Sequence, residues 1–299
     1  MKLSRIIGTV LTTLPVLAAG ADHPLIVAHR GSSYTAPENT GASAKLAWKQ
    51  NADILEVDVH LSADKRVIVI HDATTSRTTG VNHKVSETSS SVLRTLDAGS
   101  WKNPRYAGEK LPFLEEILPT VPKGKKIFVE LKSSKEIVPY VRDLIVQAGK
   151  EEEAVIIGFN IETVAEAKKA MPNIPVYWLK STEKDEATGK PIPHSVDLLE
   201  TVKKHNLDGL DLHYEGVTKE IVDAAHAAGL GLHVWTVDDP KEALRLKELG
   251  VDSITTNRPA FIRRVLEGKP AKAGKEAANG KQAGRKKGAQ AKKQEKKEN

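Results

Sequence analysis

Cysteine is absent from the 299 residues, which excludes disulfides and thiolate metal sites. No glycine-rich phosphate-binding fingerprint follows any apolar run, so the sequence gives no support to a dinucleotide-type open sheet. The long apolar stretch near the start, Ile6 to Ala19, is shorter than the ~20 residues that span a bilayer. It follows Lys2 and Arg5 and closes in Ala19-Gly20-Ala21, the pattern of a secretory signal peptide over residues 1–21. With no cysteine behind the small residues, lipid attachment there is excluded as well. The other end, Ala271 to Asn299, has no aromatic and no β-branched residue. It cannot bury enough apolar surface to offset its ordering entropy, and is expected to be disordered.

What is present is a soluble, core-forming body, with 39% apolar and 28% charged residues. The basic charge belongs to the ends. Ten Lys/Arg against three Glu give the stretch from Ala271 a balance of +7; taking that and the +2 of Lys2 and Arg5 from the overall +6 leaves a body near −3. After export, such a tail suits anionic lipid or cell-wall polymer better than nucleic acid. The expected organisation is a leader over 1–21, a body over 22–268 and a Lys-rich tail over 269–299.

Within the body, strand-like runs alternate with amphipathic helical runs. The strands are expected at Leu25–His29, Ile54–Leu61, Lys126–Lys132, Ala154–Phe159, Pro175–Leu179, Gly209–His213, Gly231–Val237 and Ser253–Thr256. Pro240 and Pro259 stand where the first turn of a helix accepts proline, and Gly229 and Gly250 where helices end. Eight strands in α/β alternation predict a closed (β/α)8 TIM barrel. The interval between His71 and Lys126 is too long for one crossover helix. It predicts an insertion after the second barrel strand, about residues 73–112, over the barrel mouth.

Chemistry-bearing residues gather at strand ends. In ILEVDVH, alternation puts Glu56, Asp58 and His60 on one face and Leu55, Val57 and Val59 on the other. The apolar face meets the helices, so the acids point into the barrel. Two carboxylates spaced i and i+2 lie ~7 Å apart and repel by about 2 kcal/mol at an effective dielectric of about 20. They call for a positive partner. VELK offers Glu130 and Lys132 in the same arrangement. Oxygen ligands from Glu56, Asp58 and Glu130 would suit Mg²⁺ or Ca²⁺. Spacing alone does not separate that site from an ion-pair network with Arg30 and Lys132.

VAHRG and VIVIHD each end an apolar run in a histidine, His29 and His71. One neutral and one protonated imidazole can take a proton from a nucleophile and give one to a leaving alkoxide. Arg30 can hold two anionic oxygens. This set suits a phosphodiester and suits a glycosidase poorly, where two carboxyls flank the bond and neither arginine nor metal is required. His83, His194, His205 and His226 read as core or surface residues.

The chain resembles the glycerophosphodiester phosphodiesterases. The matching stretches are VAHRG with PENT (37–40), ILEVDV, VIVIHD, RTTG (77–80), LDAGSW, LPFLEEIL, VELK, VWTV (234–237) and GVDSITTNRP (250–259), covering Leu25 to Leu266. The resemblance implies a TIM barrel with a small inserted subdomain, His29 and His71 as the acid/base pair, and Arg30 as a phosphate ligand. It further implies Glu56, Asp58 and Glu130 as ligands of a divalent cation, Mg²⁺ or Ca²⁺, and Lys132 as a second phosphate or metal-site contact. The implied reaction turns a glycerophosphodiester into sn-glycerol 3-phosphate and an alcohol, by a route in which the glycerol 2-hydroxyl attacks phosphorus and water opens the cyclic phosphate.

Weaker expectations attach to other positions. In PENT, Asn39 or Thr40 would cap a helix while Pro37 and Glu38 shape the turn. Trp235 is either a core residue or a cover for the glycerol carbons, and Phe159 is expected to be packing. ADKR (63–66) and Asn257 depart from the family's usual Asp-Gly and Asp, and neither is expected to touch the site. Two other activities are compatible with the same residues: a phospholipase D-like action on lysolipids, and an idle anion-binding barrel. An intact acid/base pair counts against the second.

Overall fold

A computed structural model describes residues 23–269. The expected leader and, apart from Lys269, the expected tail lie outside the described residues. Nine strands form one sheet: β1 (Leu25–Ala28), β2 (Ile54–Leu61), β3 (Val67–Val69), β4 (Lys126–Leu131), β5 (Ala154–Gly158), β6 (Val176–Lys180), β7 (Gly209–His213), β8 (Gly231–Trp235) and β9 (Ser253–Thr256). All neighbours are parallel except β3, and β1 pairs with both β2 and β9, which closes the eight parallel strands into a TIM-type barrel. β3 lies antiparallel to the upper half of β2, with Val59 opposite Val69 and Leu61 opposite Val67.

Residue alternation sorts the core into two shells. Val27, Ile54, Phe128, Val155, Ile157, Tyr177 and Leu179 fill the barrel. Leu55, Val57, Val59, Val129 and their counterparts face the helices and form the larger outer core. The helices begin where local chemistry satisfies their free N–H groups. Thr40 Oγ1 accepts from Ser43 N at the head of Gly41–Lys49, Asn160 Oδ1 accepts from Thr163 N at the head of Ile161–Ala170, and Asp239 does the same for Pro240–Leu249. Gly250 closes that last helix in the left-handed region, φ 85°.

Residues 73–112 hold only short helical turns between β3 and the helix Leu114–Ile117. They carry a small core of their own, in which Val85, Leu93, Leu96, Ala98 and Leu111 pack with Ile68 and Ile70. The segment docks on the loop after β1: Lys102 Nζ donates to the Ser33 carbonyl (2.6 Å) and Tyr106 Oη to the Thr35 carbonyl (3.3 Å). Among the described residues, no helix is long and apolar enough to cross a membrane.

Candidate active site

The chain leaves β1 through a turn that few sequences tolerate. Arg30 (φ 54°) and Gly31 (φ 79°) are both left-handed. A Cβ on Gly31 would lie 2.5 Å from Ser43 Oγ and 2.6 Å from the Ser43 backbone, so the helix that starts after Thr40 presses directly on this glycine. Ser43 Oγ and Asn39 N donate to the Arg30 carbonyl at 2.9 and 3.0 Å. This bracing turns the Arg30 amide inward, where it donates to Glu56 Oε2 at 2.6 Å. The guanidinium reaches Glu38 Oε1 through Nη1 (2.8 Å), and its Nε lies 3.2 Å from Asp58 Oδ2. The strained residue is thus held on every side.

Glu56 and Asp58 on β2 and Glu130 on β4 meet inside the barrel, Asp58 and Glu130 being direct partners across the two strands. One ligand atom from each falls within 4.8 Å of the others. Burial and the charges of Asp58 and Glu130 push the Glu56 carboxyl well above its usual range. Burial and Asp58 likewise raise Glu130 to about 7, against the pull of Lys132. Burial would raise Asp58 too, but Arg30 and then Lys132 outweigh it and bring it to about 2.

Lys132 Nζ donates to Glu130 Oε1 at 2.8 Å and stands 3.5 Å from Asp58 Oδ1. The two cations, Arg30 and Lys132, therefore do not satisfy the three acids. Glu56 Oε1 and Asp58 Oδ1 are buried without a hydrogen bond among the described residues. Buried bare carboxylate oxygens are costly unless a cation takes them. A hard divalent ion fits this donor set better than a closed ion-pair network does.

Both predicted histidines stand at this mouth, close enough to Asp58 for their charges to act on it. His29 is anchored by Asn257. The Asn257 amide is oriented by Nδ2 donating to Asp238 Oδ2 (2.6 Å), so its Oδ1 accepts from Ser33 Oγ and from His29 Nδ1, both at 2.8 Å. The tautomer follows from that network: Nδ1 carries the proton and Nε2 keeps its lone pair. Burial and the neighbouring Arg30 charge bring His29 down to about 4. His71 Nδ1 pairs instead with a carboxylate, Asp72 Oδ1 at 2.7 Å, and its carbonyl accepts from His60 Nε2 at 3.0 Å.

Several expectations need correction. Asn257 touches the site directly, through His29. In PENT the cap is Thr40; Asn39 instead grips Asp58, donating from Nδ2 to Oδ2 (2.8 Å) and accepting from the Asp58 amide (3.2 Å). Glu38 shapes more than a turn, since it holds Arg30. Phe159 is 42% exposed rather than packed. Its ring meets Trp235 edge to face at 5.4 Å and lies 5.8 Å from Lys132 Nζ. Trp235 is partly buried, packs on the inner barrel core and donates from Nε1 to the Asp211 carbonyl (3.1 Å). His194 and His226 are engaged structurally, with the His213 carbonyl and Asp252. Asp72 and Arg77, which support the site, lie inside the motifs VIVIHD and RTTG, whereas no local pattern in the sequence marks Asp238.

A sequence profile of the glycerophosphoryl diester phosphodiesterase family matches residues 29–261. The chain belongs to that family. It is 33% identical over 244 residues to a glycerophosphodiester phosphodiesterase of Caldanaerobacter subterraneus subsp. tengcongensis, covering 79% of this chain and 94% of the relative. A Bacillus subtilis glycerophosphodiester phosphodiesterase is 31% identical over 265 residues, covering 83% and 88% of the two chains. In structure it is similar to an Oleispira antarctica phosphodiesterase in complex with the product sn-glycerol-3-phosphate, with 29% identity, a TM-score of 0.74, and coverage of 82% of this chain and 97% of the other. Membership in this family makes the chain a phosphodiester hydrolase of the glycerophosphodiester phosphodiesterase class.

Proposed function

We propose that the protein hydrolyses glycerophosphodiesters to sn-glycerol 3-phosphate and an alcohol, using a divalent cation, Mg²⁺ or Ca²⁺, held by Glu56, Asp58 and Glu130. The observation that carries this reading is a buried acidic trio in which Glu56 Oε1 and Asp58 Oδ1 lack a hydrogen bond among the described residues, with two imidazoles near Asp58 whose Nδ1 atoms are both engaged. A bound divalent ion would neutralise phosphate charge and polarise the reacting phosphorus. Arg30 and Lys132 hold the phosphate oxygens, and the Trp235 ring covers the glycerol carbons beside Phe159.

In this reading His29, neutral with a free Nε2, takes the proton of the glycerol 2-hydroxyl as that oxygen bonds to phosphorus. The bond from phosphorus to the leaving alcohol breaks, and His71, its ring oriented by the contact of Nδ1 with Asp72 Oδ1, supplies the alcohol's proton. Water then opens the cyclic phosphate with the roles reversed: His71 takes the water proton and His29 returns one to the 2-oxygen. The tethered hydroxyl favours this route through its effective molarity. The similarity to a structure holding sn-glycerol-3-phosphate supports the product.

The reading extends to location. The leader pattern over residues 1–21 supports a secreted or periplasmic enzyme, with the basic tail available to anionic lipid or cell-wall polymer.

Purified protein supplied with Mg²⁺ or Ca²⁺ is expected to release glycerol 3-phosphate from glycerophosphocholine or glycerophosphoethanolamine, and a chelator to stop it. His29→Ala and His71→Ala are each expected to lose about 10²- to 10⁴-fold in turnover. Release from lysolipids alone would move the substrate class, and full turnover by either alanine variant would remove the acid/base assignment.

A further inference from the structure

Arg77 lies in the stretch 73–112, outside the barrel strands, yet its guanidinium spans the active-site mouth. Nε and Nη2 donate to Asp72 Oδ2 and Oδ1 at 2.6 and 3.1 Å, while Nη1 and Nη2 donate to Glu38 Oε2 and Oε1 at 2.9 and 2.8 Å. Each carboxylate has a second duty. Asp72 Oδ1 is the partner of His71 Nδ1 (2.7 Å), and Glu38 Oε1 is the acceptor of Arg30 Nη1 (2.8 Å). One planar fork therefore joins the group that orients His71 to the group that aims Arg30.

The local sequence is built to present this side chain. In RTTG, Thr78 is buried, Thr79 Oγ1 donates to the Thr75 carbonyl (2.9 Å), and Gly80 ends the turn in the left-handed region at φ 76°. Stability does not explain the arrangement. The Arg77 side chain is 43% exposed, so water screens its ion pairs and limits what they add to stability. The segment already docks through its own apolar cluster and through Lys102 and Tyr106. Lysine could not replace it, because a point charge cannot address two carboxylates edge-on at once.

We infer that Arg77 is a positioning residue that fixes His71 through Asp72 and Arg30 through Glu38, coupling proton transfer to phosphate binding. The inference rests on the proposed roles of His71 and Arg30.

The test is a pair of double-mutant cycles on the full chain with Mg²⁺ and glycerophosphocholine. Arg77→Ala is expected to lower kcat about 10- to 100-fold and to raise KM several-fold, with Arg77→Lys close behind. On an Asp72→Ala background the further kcat loss should vanish, and on a Glu38→Ala background the further KM rise should vanish. Free guanidinium ion should restore part of the Arg77→Ala loss. Independent, multiplying losses in both cycles, or kinetic constants for Arg77→Ala within about twofold of wild type, would overturn the inference. Calorimetry with glycerol 3-phosphate separates this from failure of the reaction itself. If wild type shows no turnover, the reaction assignment falls. Arg77 is then judged on the product's Kd, which supports its hold on Arg30 if weakened by Arg77→Ala and restored by guanidinium, and overturns it if unchanged.

Discussion

Cation binding should stabilise this protein strongly at pH 8 and barely at pH 5. With no cation bound, burial and Asp58 hold Glu130 at about 7 against an ordinary 4.5. Across that window the folded chain keeps a proton that the unfolded chain has lost. The Glu130 contribution to apo stability is therefore complete below about pH 4.5 and is lost as pH rises through about 7, while His29 and His233, both lowered to about 4 by burial, act in the opposite direction between about 4 and 6.5. At about 1.4 kcal/mol per pH unit, Glu130 alone accounts for on the order of 3 kcal/mol. Glu56, also raised, acts in the same direction.

At pH 8 Glu130 has released its proton, and an ion concentration 100 times the Kd at that pH adds about 2.7 kcal/mol. For a body of this size that is a Tm gain of roughly 5–10 °C. At pH 5 the ion must displace the Glu130 proton, which weakens its apparent affinity about 100-fold. The same concentration then adds only about 0.4 kcal/mol, near 1 °C. Thermal unfolding at both pH values, with Mg²⁺ or Ca²⁺ against chelator, reads this directly, and Glu130→Gln should remove most of the difference. Equal gains at pH 5 and pH 8, or none at pH 8, would refute the argument.

Asn257→Asp would set a carboxylate against His29 Nδ1 in place of an amide, favour the imidazolium, and raise His29 from about 4; the acid limb of the kcat/KM profile should move to higher pH by a unit or more, on the order of an exposed-to-paired histidine. Asn39→Ala removes both contacts to buried Asp58, so ion affinity should fall about 10- to 100-fold and stability by about 1–3 kcal/mol, read by metal titration and chemical denaturation.

The strands of this barrel are visible in one dimension because their physics is local. A run such as ILEVDVHL alternates acid and apolar residues, and a period of two admits only one assignment of faces. The same alternation placed Glu56, Asp58 and Glu130 inside, and the structure brings them within 4.8 Å. The supporting residues were harder. Thr40 and Asn39 are adjacent and both able to cap, and only the approach of the helix to β2 decides that Thr40 caps while Asn39 holds Asp58. Phe159 reads as an apolar strand end, whereas in the fold it stays exposed and meets Trp235, which comes from β8, edge to face.

The alternating barrel strands, the inward acids and the two histidines at strand ends can each be read from periodicity within a few residues. What steadies them cannot. Asn257 reaches His29 across 228 positions and Arg77 reaches Glu38 across 39, and such hydrogen bonds exist only after barrel closure has placed distant loops side by side.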